Sequence, residues 1–173
     1  MDLGNMRLQE GIFLERHAAE IGVIGIGKGA GATFVSYQLD DLLNGKDRQK
    51  VFVSRPDRFR ITDEPEDPED EDIVIAVIDP LPSKLMEGAD TIGKLTELKA
   101  PVLWLVNRDN PGVNRRSMEK YLGFRPEFRQ EEVPREMICR AEYNCIRLSD
   151  IYKTDGLEKL AEHIRIIFAD SSE

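Results

Sequence analysis

The sequence predicts an α/β fold, a three-layer sandwich in which a mostly parallel central sheet lies between helices. Three observations carry that expectation. The runs Asp72-Ile-Val-Ile-Ala-Val-Ile-Asp79 and Pro101-Val-Leu-Trp-Leu-Val-Asn107 are almost unbroken apolar segments, as central strands covered on both faces require. Segments with helical spacing alternate with these runs, the pattern of parallel sheets joined by right-handed crossovers. Ile21 to Phe34 passes from a short apolar strand through the glycines 25, 27, 29 and 31 into a helical pattern at Val35, Leu39, Leu42 and Leu43.

That glycine-rich turn is the first candidate site. Glycine allows positive φ and close backbone approach, while free N–H groups and the dipole at a helix start attract anions. A phosphate loop reads G-x-x-x-x-G-K-[ST], with the lysine on the β and γ phosphates and the hydroxyl on Mg²⁺. Gly31-Ala32-Thr33 keeps the glycine and the hydroxyl but has alanine in the lysine position, and counting back five residues from Gly31 reaches Ile26. Losing one charge-assisted bond costs about 1.5–3 kcal/mol, roughly 10–100-fold in affinity. Binding is expected to survive that loss better than hydrolysis, so ATPase activity is expected to be weak or absent. The plainer reading is a tight turn that packs a helix on a strand.

Composition limits the function classes. The 173 residues suit one domain, expected at 21–170 behind an N-terminal extension at 1–20. With 40% hydrophobic and 33% charged residues and no apolar run near 20 residues, no membrane span is expected. Met1 to Glu20 does not read as a signal peptide, and a cytoplasmic location is expected. A net charge of −9 speaks against nucleic-acid binding. Cys139 and Cys145 have neither a second pair nor a nearby histidine, which argues against zinc.

Along the chain, Ile12, Phe13 and Leu14 suit a short edge strand or a packed tail, and His17 reads as a surface residue. Asn44-Gly45 is the expected stop of the first helix, and Val51 to Ser54 the expected second strand. From Asp57 to Asp72 nine of sixteen residues are acidic, which predicts a mobile surface loop, or in a functional reading a cation site or a docking surface for a basic partner. Ser83 is a candidate cap for a helix carrying Leu85, Met86, Leu95 and Leu98, interrupted at Gly88 and Gly93. Asn114 begins a helix that stops at Gly123, a fifth strand is expected at Phe128 to Glu131, and Pro134 opens a helix to Glu142. Asp155-Gly-Leu-Glu158 resembles a capping box for a last helix whose apolar face is expected on the sheet. The loop Gly27 to Thr33, Asp79 and Asn107 then meet on one rim, where open α/β sheets bind ligands.

With these segments in place, the chain resembles the MinD/ParA group of P-loop ATPases, whose deviant Walker A reads K-G-G-x-G-K-[ST]. Lys28-Gly29-Ala30-Gly31-Ala32-Thr33 is the corresponding stretch, one residue short and without the second lysine. Asp72 to Pro80 resembles that group's Walker B strand and Val106-Asn107-Arg108 its fourth strand, and the likeness runs from about Ile21 to Phe168. It implies that the amides of Gly29 to Thr33, in the loop Gly27-Lys28-Gly29-Ala30-Gly31-Ala32-Thr33, hold ATP phosphates. Thr33 would bind Mg²⁺, Asp79 would hold a magnesium water, and Asn107 with the backbone near Val133 and Pro134 would meet adenine. Lys28 would cross a homodimer interface. The family's D-x-D after strand two is replaced by Ser54-Arg55-Pro56. The implied protein is a degenerate nucleotide-binding regulator or scaffold.

Two other readings stay open at this point. One is a protein-interaction module on the same sheet, docking through the acidic stretch or the last helix. The other is an NADP-binding reductase, since Gly27-Lys-Gly29-Ala-Gly-Ala32 fits G-x-G-x-x-A and Arg55 suits a 2′-phosphate.

Overall fold

The computed structural model describes residues 18–48 and 58–170. Among them, five strands pair in parallel throughout: β1 Ala19–Ile26, β2 Phe59–Asp63, β3 Ile73–Ile78, β4 Val102–Asp109 and β5 Phe128–Glu131, in the order β2-β1-β3-β4-β5. The helices are α1 Ala32–Arg48, α2 Pro82–Glu87, α3 Ala89–Thr96, α4 Arg115–Leu122, α5 Arg135–Tyr143 and α6 Asp155–Asp170.

Period-2 alternation divides the strands between two cores. Ile21, Val23, Ile73, Ile75, Val77 and Leu105 face α1 and α6, whose Val35, Leu39, Leu157, Leu160 and Ile164 are buried against them. On the opposite face Ile26, Val74, Ala76, Ile78, Trp104 and Val106 meet Leu85 of α2, Ile92 and Leu95 of α3, and Met118 and Leu122 of α4. This is the three-layer α/β architecture expected from the apolar runs. No helix among the described residues is long and apolar enough to cross a membrane.

Several local expectations need correction. The first helix continues through Asn44 and Gly45, because the buried Asn44 amide donates to Asp40 Oδ1 at 2.8 Å and to Phe59 O at 2.9 Å, tying the helix to β2 instead of ending it. The Asp57–Asp72 stretch holds β2 and a single 3-10 turn at Pro68–Asp70, with Phe59 buried and paired beside Ala19. Ser83 does not cap: α2 starts at Pro82 after Leu81, with no side-chain cap, and the break falls at Gly88 while Gly93 stays helical. Gln130, 1% exposed, accepts the Leu157 N–H at 3.1 Å and so takes the role given to the capping box at Asp155. Ile12 to Leu14, His17, Val51 to Ser54 and Arg55 lie outside the described residues.

Other boundaries agree with the expectations. Asn114 caps α4 by accepting Ser117 N–H, Gly123 ends it at φ 79°, and β5 spans Phe128–Glu131.

The acidic stretch also carries a pH prediction. Burial raises the Glu71 carboxyl above its ordinary range, and Glu20, Asp72 and Asp70 add to the shift; its buried Oε2 has no hydrogen-bond partner. A raised carboxylate pKa penalises the fold above that pKa, and acidification toward the ordinary value of 4.5 relieves the penalty. Glu71→Gln is therefore expected to raise the melting temperature at pH 7, with the gain shrinking as pH falls toward 4.5. Thermal melts of both proteins across that range are the check.

Candidate functional site

Strand β1 lies between β2 and β3, so the chain leaves the sheet in opposite directions at their carboxyl ends, and a crevice opens at such a switch point. The turn after β1 occupies it. Gly27, Gly29 and Gly31 have φ of 79°, 78° and 95°, the alternating positive-φ pattern from which anion nests are built, while Lys28 N–H donates to Glu87 Oε1 and Ala30 N–H to Gly27 O at 3.4 Å. Two of these glycines are also required by space. A Cβ on Gly27 would stand 2.8 Å from Lys84 O, and one on Gly31 would stand 2.4 Å from Asn107 Nδ2. Helix α1 starts at once, with Val35 N–H bonding Gly31 O at 3.0 Å, so its free first-turn amides add to the same pole.

The carboxyl ends of the other strands surround this nest. Asn107, 4% exposed at the end of β4, donates from Nδ2 to Ala30 O at 3.0 Å and so braces the turn. Asp79, 4% exposed after β3, accepts Leu81 N–H at 3.0 Å and pairs through Oδ2 with Arg108 at 3.1 Å. Lys28 is exposed, and its N–H donates to Glu87 Oε1 at 3.3 Å. The Glu87 carboxyl is held below its ordinary range, first by the hydrogen bond from Lys84 and then by that N–H.

One acid was missed from sequence. Thr33 Oγ1 donates to Asp63 Oδ2 at 2.7 Å, and Ser36 Oγ donates to Asp63 Oδ1 at 3.3 Å. The neighbouring Glu64 accepts Gly25 N–H at 2.9 Å. Strand β2 therefore ends in carboxylates set against the glycine turn, and Ser54-Arg55-Pro56 is not the end of the described β2. The signal was present: Phe59-Arg-Ile-Thr-Asp63 alternates apolar and polar residues and runs into Asp63-Glu64-Pro65.

Beside the nest a cavity of ~920 Å³ runs between α2, α4 and the start of α5, lined by Leu81, Leu85, Met86, Met118, Tyr121 and Val133. Asp79, Asn107 and Arg108 form its border with the turn. Asn107 and Val133 thus share this cavity, while the exposed Pro134 only precedes α5.

Mg²⁺ takes hard oxygen donors, few from protein and the rest from phosphate and water. The Thr33 hydroxyl and Asp63 carboxylate fit that demand. Asp79 fits it once Oδ2 leaves Arg108. No three His, Cys, Asp or Glu side chains converge as a metal cage among the described residues.

No protein-family model matches the sequence, and no curated protein matches it. Solved structures do match in fold. A ParA family ATPase from Chlorobium tepidum TLS superimposes with a TM-score of 0.57 at 11% identity, covering 83% of this chain and 96% of that one. A putative plasmid partition protein from Borrelia burgdorferi B31, solved bound to AMPPNP, gives 0.56 at 10% identity, covering 90% of this chain and all of that one. The chain therefore carries the α/β fold seen in ParA-type ATPases, with only 10–11% sequence identity to those two proteins.

Proposed function

We propose that this protein binds ATP with Mg²⁺ and turns it over slowly or not at all, using the bound nucleotide as the switch of a regulator or scaffold. One observation carries the reading: three left-handed glycines form an anion nest at the switch point of a ParA-like sheet, with a Thr33–Asp63 pair at its edge. The amides of Gly29 to Thr33 take the phosphates. Thr33 and Asp63 hold the magnesium ion directly or through water, Asp79 supports it, and Mg²⁺ supplies charge neutralisation for the triphosphate. Asn107 braces the turn, and the base extends into the cavity toward Val133. Slow turnover follows from Ala32 in the lysine position. Exposed Lys28 suits a contact across a homodimer.

The strand order β2-β1-β3-β4-β5 differs from the 3-2-1-4-5-6 order of dinucleotide folds, which speaks against the NADP reading. The interaction reading loses its last-helix version, because Leu157, Leu160 and Ile164 of α6 are fully buried on the sheet. Its acidic-stretch version is weakened, because Glu64 and Asp72 accept backbone N–H groups of β1.

Calorimetric titration of ATP with Mg²⁺ tests the proposal. Saturable binding is expected, with Thr33→Ala and Asp63→Asn each weakening it about tenfold, the equivalent of ~1.4 kcal/mol. A flat wild-type trace at millimolar ATP would remove the proposal.

A further inference from the structure

We propose that Arg108 supplies the phosphate-binding cation that the glycine turn lacks, delivered from the end of β4 instead of from within the loop. This inference rests on the triphosphate reading above and adds the residue that makes polyphosphate its preferred ligand. The loop position that carries lysine in a phosphate loop is Ala32, 7% exposed and packed into the core. Arg108 stands across the crevice from it. Its NH1 donates to Gly29 O at 3.1 Å and pairs with Asp79 Oδ2 at 3.1 Å, so the guanidinium sits at the mouth of the nest between loop and β3. Both contacts fall on one nitrogen, and the side chain remains 47% exposed. A guanidinium has five N–H donors in a planar fork that matches phosphate oxygens.

The backbone aims this side chain. The β4–β5 register shifts between Val106 and Asp109, and Arg108 within that irregularity has φ 59°, a conformation costly for a residue with a Cβ. Bulges redirect side chains, and strained residues of this kind cluster where ligands are held. A salt bridge to Asp79 alone gives no reason for a left-handed arginine. A triphosphate on the nest presents anionic oxygens in place of the Gly29 carbonyl and the Asp79 carboxylate, and the guanidinium exchanges one set of acceptors for the other. Asp79 Oδ2 is released toward the magnesium side in the same movement.

Titration of ATP, ADP and AMP, each with Mg²⁺, into wild type, Arg108→Ala and Arg108→Lys tests this. Arg108→Ala is expected to lose about 10–100-fold in ATP affinity, the range for one charge-assisted contact, while AMP binding changes less than about twofold. Arg108→Lys should recover part of the loss. Circular dichroism melts of the unliganded variants separate a folding defect from lost binding. Unchanged or tighter ATP binding by Arg108→Ala overturns the proposal, since the arginine would then be idle or a latch. Equal loss of ATP and AMP also overturns it, because the residue would be shaping the pocket rather than meeting phosphates. A wild type that binds none of the three nucleotides overturns the underlying triphosphate reading instead.

Discussion

Gly31→Ala is expected to abolish nucleotide binding and to destabilise the fold by about 2–4 kcal/mol. Two causes act at one atom. The backbone at Gly31 has φ 95°, where a Cβ is strained. That Cβ would also stand 2.4 Å from Asn107 Nδ2, the group that braces Ala30 O. Either the turn flattens, which removes the concave set of amides, or the buried Asn107 amide gives up its acceptor, which costs about 1–3 kcal/mol. Gly29→Ala makes the matched comparison, since φ is 78° there but nothing lies within 4 Å of its Cβ. It should lose affinity with a smaller cost to stability. Urea denaturation and ATP titration on both variants provide the check.

Gly156→Ala is expected to cost about 3–5 kcal/mol without touching the nest. Helix α6 crosses β5 so closely that a Cβ at 156 would be 2.1 Å from Arg129 O and 2.7 Å from Gln130 Cα. Main chain cannot rotate away as a side chain does. The helix must lift, and lifting it breaks the bond from Leu157 N–H to the buried Gln130 carboxamide and opens the core around Leu160 and Ile164. Equilibrium unfolding in urea measures the effect. A loss under about 1 kcal/mol would mean that α6 is seated differently.

The sheet's centre was legible because burial on both faces leaves no polar position in β3, and the Asp-bounded run Ile73 to Ile78 states that directly. Helix α4 was legible because its cap and stop are made by Asn114 and Gly123 themselves. Edge strand β2 was hidden. Arg60 is exposed, and the acids that follow gave the whole stretch the composition of a loop. Missing β2 meant missing Asp63 beside Thr33. Long-range contacts hid the rest. Asn44 reads as a helix stop until Phe59 O is known to need a donor, and Arg108 reads as a turn residue until its backbone aims it at Gly29 and Asp79.

The most direct measurement is a crystal grown with a non-hydrolysable ATP analogue and Mg²⁺ at millimolar concentration. Triphosphate density on the amides of Gly29 to Thr33, with the metal beside Thr33 and Asp63 and the Arg108 guanidinium turned to the phosphates, is the expected result. A turn that keeps Asn107 and Arg108 in their present places, with no nucleotide against its amides, would contradict it.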